Sequence, residues 1–170
     1  GYWSNSAAGT INAGSVVTGN DATGNGGAFA FDGAAPTFAA APTIVSSTAG
    51  SNGGGIWLTG ASLSGSFNIN MTAATGNGGG IYIGSGGSLT MSGGAVTSNT
   101  AANGGGIYGD TGSTLVISGG SISSNNATAD GGGVYAASGL TYNGATINDH
   151  TAGDDGGGIW AGRGTYPLGS

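Results

Sequence analysis

Cysteine, lysine and glutamate are absent from this 170-residue sequence, and arginine occurs once, at Arg163. Without cysteine there are no disulfides and no thiolate-bound metals. One cation against seven aspartates gives a formal charge of −6. Neutralising a phosphate backbone takes several Lys or Arg side chains, so nucleic acid is excluded as a partner. Long apolar runs are missing too: none approaches the ~18 residues of a spanning helix, and no basic amphipathic segment is present to lie on a bilayer. Membrane insertion is not expected. Proline is limited to three residues, and no window shows apolar positions at helical spacing. The sequence starts at Gly1 rather than Met, as expected of a processed chain or a piece of a longer one.

What is abundant is glycine, 42 residues, with much Ser, Thr and Asn. Without a period this composition would mean low complexity. Disordered chains, however, combine high charge with low hydrophobicity, whereas here 37% of residues are hydrophobic and only 5% are charged. A period decides the matter. Asn or Asp, a glycine run, an aliphatic residue and then an aromatic recur as Asn52-Gly53-Gly54-Gly55-Ile56-Trp57, and again from Asn77 to Tyr82, Asn103 to Tyr108, Asp130 to Tyr135 and Asp155 to Trp160. A looser copy starts at Asn25. From Asn25 to Asp155 the spacing is always 25 to 27 residues.

A second element, hydrophobic-x-x-Asn, lies upstream of each copy. It reads Val17-x-x-Asn20, Phe67-x-x-Asn70, Val96-x-x-Asn99 and Ile122-x-x-Asn125, with Ile44-x-x-Ser47 and Ile147-x-x-His150 as degenerate copies. A third stretch sits between the two, as in Leu89-Thr90-Met91, Leu115-Val116-Ile117 and Leu140-Thr141-Tyr142. Short alternating segments between Gly, Ser and Asn turns are strand signals. Three such segments in about 26 residues cannot bury their apolar side alone, but they can as one rung of a stacked solenoid. The expectation is an all-β, right-handed parallel β-helix. Its rungs fall near 1–25, 26–52, 53–77, 78–103, 104–130 and 131–155, with a partial rung at 156–170. Phe29, Ile56, Ile81, Ile107, Val134 and Ile159 should form one inward column; Asn25, Asn52, Asn77, Asn103, Asp130 and Asp155 should form a corner ladder.

These motifs resemble the repeats of bacterial β-helical surface proteins of the polymorphic outer-membrane-protein and autotransporter-adhesin type. Gly26-Gly27-Ala28-Phe29 and Phe67-Asn68-Ile69-Asn70 come nearest, and the likeness covers roughly residues 1–160. The resemblance implies a right-handed β-helix displayed at the cell surface, outside the cell, in adhesion or surface assembly. The departure from that pattern is that no β-barrel translocator or anchoring segment is expected within these residues, so autotransport itself is not expected.

Four candidate sites follow. Trp57, Tyr82, Tyr108, Tyr135 and Trp160 should line up on the solvent side, an apolar stripe fit for a second copy of the chain or, alternatively, for glycans. Tyr2, Trp3, Arg163, Tyr166 and Leu168 mark weakly capped ends, where unpaired strand edges favour end-to-end stacking into a filament, fibre or sheath. Asp130, Asp154 and Asp155 are candidates for weak Ca²⁺ binding, since adjacent carboxylates repel unless solvated or bridged by a cation; no other cofactor is expected. Paired Asp154 and Asp155 resemble the aspartates of polygalacturonase-type enzymes, but the further Asp, His-Gly and Arg/Lys motifs are absent, so no catalysis is expected. His150 reads as a structural substitute for Asn. The functional expectations are therefore a self-associating structural subunit, an adhesin block, and thirdly an ice-binding solenoid, for which only scattered Thr90, Thr97 and Thr141 speak.

Overall fold

The computed structural model describes residues 2–4 (backbone only), 10–12, 14–35, 37–38 and 40–162. Among these residues every element is a strand, and every strand pairing is parallel. The chain winds about six times, placing one strand of each rung in each of three sheets. The first sheet stacks Tyr2–Ser4, Phe29–Asp32, Ile56–Thr59, Ile81–Ile83, Ile107–Gly109, Val134–Ala136 and Ile159–Ala161 in chain order. The fold is a parallel β-solenoid.

Alternation within these strands builds the core. Phe29, Ile56, Ile81, Ile107 and Val134 lie in register and are buried. Two residues on, the same face carries Phe31, Leu58 and Ile83, then Gly109 and Ala136. The shrinkage at Gly109 is filled from the second sheet: a Cβ there would meet Leu115 Cδ1 at 2.8 Å. Full burial of each large aliphatic side chain stabilises by about 1.5–3 kcal/mol, so one continuous column of such residues supplies a core.

The second sheet departs from the expected segmentation. In the central rungs the Leu-x-Met/Ile stretch and the hydrophobic-x-x-Asn stretch are one strand, Ser88–Thr97 and Thr114–Ser123, with irregular pairing at Ser92. Ser62–Asn70 joins them, its register shifting between Gly65 and Ser66. That bulge corrects one alignment. Phe67 pairs with Gly94, whereas Ile69 pairs with Val96 and Ile44. The equivalent element is therefore Ile69-x-x-Thr72, not Phe67-x-x-Asn70. Phe67 points inward as well, and its ring packs edge-on against Phe38 at 5.6 Å.

The third sheet arises where no strand was expected. It consists of two-residue strands, Asp21–Ala22, Thr48–Ala49, Ala73–Ala74, Thr100–Ala101, Asn126–Ala127 and Thr151–Ala152. Ala49, Ala74, Ala101 and Ala127 point inward, and three of them form a small cluster of their own. One turn per rung separates this sheet from the second, and its residue is left-handed: Ser46, Met71, Ser98, Ser124 and Asp149 have φ between 53° and 59°. Only in the first rung is it a glycine, Gly19.

The glycine run closes the rung. Gly104 sits at φ +60°. A Cβ on Gly105 would lie 2.5–2.6 Å from the carbonyl oxygens of Asn126 and Gly132, so the third sheet can meet the first only through a bare backbone.

Candidate functional site

Two polar ladders run the length of the solenoid, one outside and one inside. The outer ladder comprises the Asn/Asp residues that open each glycine run. Asn52 N–H donates to Asn25 Oδ1 at 3.0 Å, Asn77 N–H to Asn52 Oδ1 at 2.8 Å, Asp130 N–H to Asn103 Oδ1 at 3.1 Å, and Asp155 N–H to Asp130 Oδ1 at 2.9 Å. Asn103 Nδ2 donates to Asn77 Oδ1 at 2.9 Å. The essential group is an acceptor oxygen, which Asp supplies as well as Asn. That explains Asp130 as a ladder member without a ligand, while Asp155 joins the ladder through its backbone N–H.

Asp130 and Asp155 thus each serve the backbone ladder, and Asp154 is exposed beside them. Among the described residues no three of His, Cys, Asp and Glu come together as a metal-holding group. The Asp130, Asp154 and Asp155 trio expected from the sequence is not assembled as a calcium cage.

The inner ladder is the residue three beyond the inward aliphatic of the second sheet: Asn20, Ser47, Thr72, Asn99, Asn125 and His150. Asn99 and Asn125 are 0% and 1% exposed. Here the backbone donates to the following rung: Thr72 N–H to Asn99 Oδ1 at 2.9 Å, Asn99 N–H to Asn125 Oδ1 at 2.9 Å, and Asn125 N–H to His150 Nδ1 at 3.1 Å. The side-chain N–H groups bond back to carbonyls, Asn99 to Ile69, Asn125 to Val96 and His150 to Ile122. Among the described residues no buried side-chain nitrogen or oxygen lacks a partner. Burial holds the His150 imidazole below its ordinary value, opposed by its hydrogen bonds to Ile122 and Asn125 and by the charge of Asp149.

The aromatic column occupies the outward side of the first sheet, in register from Trp57 through Tyr82, Tyr108 and Tyr135 to Trp160. It is not the open apolar stripe expected. Tyr82 and Tyr108 stack at 5.3 Å, Tyr108 and Tyr135 at 4.7 Å, and Tyr135 and Trp160 at 4.1 Å, all within 11° of parallel. All five residues are half-buried. From Tyr82 to Trp160, rings spaced by the rung repeat cover each other's faces. Tyr82 Oη–H donates to Asp110 Oδ2 at 2.8 Å. Burial, then the nearby Asp110 and Tyr135 charges, raise the Tyr108 phenol to about 12; burial and Asp110 raise Tyr82 as well, and burial with Asp130 and Asp110 raises Tyr135.

The third sheet presents an outward face that sequence reading missed. Each rung puts one exposed threonine beside its inward alanine: Thr48, Thr100 and Thr151 before it, Thr23, Thr75 and Thr128 after it. The two sets alternate from rung to rung. Strand geometry sets about 4.8 Å between rungs and about 6.6 Å between the two columns. A groove of about 460 Å³, lined by Thr23, Thr48, Gly50 and Thr75 among others, runs across the first rungs of this face. The signal was available as the x-Ala dipeptide recurring at the 25- to 27-residue spacing.

Of the expected end contacts, Arg163, Tyr166 and Leu168 lie outside the described residues, and Tyr2 and Trp3 are described only as backbone, paired with Phe29 and Ala30. Comparison with protein-family models, with curated protein sequences and with solved structures returns no match. The class therefore rests on architecture: the chain is a parallel β-solenoid repeat protein.

Proposed function

We propose that this chain is a structural segment of an extracellular surface, a rigid, low-charge solenoid that associates end on end with further copies of itself. The carrying observation is the continuity of the rung ladder up to its last described strands. Tyr2–Ser4 and Ile159–Ala161 each pair on one side only among the described residues. Ile159 and Ile147 are half-buried at one end, where their counterparts Val134 and Ile122 are fully buried. Apolar side chains and backbone donors at such an edge favour another rung, and head-to-tail addition need not close. The resemblance to autotransporter-adhesin repeats supports the same extracellular setting. Negative-stain microscopy of the purified chain is expected to show linear particles several molecules long. Single particles at high protein concentration refute the proposal. Glycan adhesion has less support, because the rings of Tyr108 and Tyr135 are stacked on both faces.

A second reading, ice binding, is favoured by the threonine array. Hydroxyl and methyl groups at fixed intervals on an exposed sheet face, with Asp21 as its only charged strand residue, suit an ordered water layer better than scattered Thr90, Thr97 and Thr141 would. Thermal hysteresis abolished by Thr100→Lys supports this reading, and growth of unmodified ice crystals at millimolar protein rejects it.

A further inference from the structure

His150 performs both tasks of an asparagine in the inner ladder. Asn125 accepts the Asn99 N–H through Oδ1 and donates through Nδ2 to Val96 O at 2.9 Å; His150 accepts the Asn125 N–H through Nδ1 and donates through Nε2 to Ile122 O at 3.0 Å. Only the neutral ring with its proton on Nε2 satisfies both bonds. An amide keeps its donor and acceptor at any ordinary pH, whereas imidazole titrates between about pH 5 and 8. A proton added at Nδ1 sets an N–H against the Asn125 N–H. The ring lies close against the Gly133 backbone, where a Cβ would sit 2.7 Å from Nε2. The preceding rung faces it with Ile122, Asn125 and Gly133, none ionisable; among the described residues Asp149, on its own segment, is the charged group acting on it.

We propose that His150 is an acid-sensitive latch on the last described rung, whose protonation detaches Thr146–Asn148, Thr151–Ala152 and Ile159–Ala161 from the rung beneath. The other inner-ladder residues, Asn20, Ser47, Thr72, Asn99 and Asn125, are not titratable, so the response is confined to this end. Resting on the end-stacking proposed above, the latch makes assembly a neutral-pH state: the edge that accepts another rung is withdrawn in acid.

The sign follows from the lowered value of the folded imidazole. A detached rung takes up its proton near the ordinary value of about 6.5, while the closed rung resists it. Stability of the closed rung is therefore full above that ordinary value and is lost as pH falls towards the folded one.

The test is an NMR titration of the His150 ring with amide exchange on the whole chain, at about pH 7 and about pH 5, for the wild type, His150→Asn and His150→Gln. Wild-type exchange at 146–161, corrected for intrinsic rate, is expected to rise at least about tenfold in acid, with 81–123 unchanged. His150→Asn, which restores an untitratable ladder, is expected to lose the response; His150→Gln serves if that variant folds poorly. An imidazole titrating at or above its ordinary value, or an acid response retained in either variant, overturns the latch. Parallel sedimentation separates the two proposals: a rung that opens in acid, in a chain monomeric at both pH values, upholds the latch and removes end-stacking.

Discussion

Replacing Asn99 by alanine tests the inner ladder as the polar framework of the fold. The change removes the acceptor of the Thr72 N–H and hydroxyl and the donor to Ile69 O. Thr72 is 1% exposed, so its N–H finds no water, although its hydroxyl keeps Gly79 O as an acceptor at 2.6 Å. Asn125 Oδ1 still receives the backbone N–H of residue 99. Between one and two groups are thus orphaned, at about 1–3 kcal/mol each, and the expected loss is about 2–4 kcal/mol. Asn52→Ala is the control, removing the same kind of acceptor from the outer ladder. There the Asn77 N–H can turn to water, and the expected loss is about 0.5–1.5 kcal/mol. Urea midpoints give the comparison. Because repeat proteins can unfold in parts, exchange of the Thr72 amide gives the local value. Equal losses at Asn99 and Asn52 would refute the assignment of different burial to the two ladders.

Gly132→Ala should prevent folding, because its Cβ would lie 2.4 Å from the Thr151 and Gly157 carbonyl oxygens; Gly158→Ala, whose nearest neighbour would be Ile147 Cγ2 at 3.6 Å, should be tolerated. Circular dichroism of the two variants checks this pair. Ile107→Ala empties part of the central column and is expected to lower stability by about 2–5 kcal/mol, read as a fall in urea midpoint. Tyr108, raised to about 12 from the ordinary 10.0, keeps its proton in the fold where an unfolded phenol loses it. Its stabilising contribution is therefore complete below pH 10 and disappears as pH rises towards 12, which ultraviolet phenolate titration of native and denatured protein would show.

The first sheet was the most legible part of the fold. Its Asn-Gly-Gly-Gly-Ile-aromatic element carries the whole geometry of a corner and a strand in adjacent residues, so counting alone aligns Ile56, Ile81 and Ile107. The second sheet was legible except at Phe67. Hydrophobicity does not distinguish Phe67 from Ile69, both inward on one strand, and only the bulge between Gly65 and Ser66 decides which one faces Val96. The third sheet escaped because Ala49, Ala74 and Ala101 are too small to look like a core, and strands of two residues show no alternation. The outward placing of Trp57 through Trp160 followed from strand period, but their half-burial did not. Face-to-face stacking depends on rotamers along the rung axis, which the sequence does not display. His150 could be placed in a column by counting, whereas its ring tautomer needed both hydrogen-bond partners in view.

The two ladders run in opposite senses: outer backbone N–H groups point toward the start of the chain, inner ones toward its end. Each ladder therefore presents a donor at one end of the coil and an acceptor at the other, and a copy added head to tail would continue both ladders donor to acceptor. A stack built head to tail in this way would carry an arrow. Its two tips would differ in chemistry, one offering backbone donors from the outer ladder and the other from the inner.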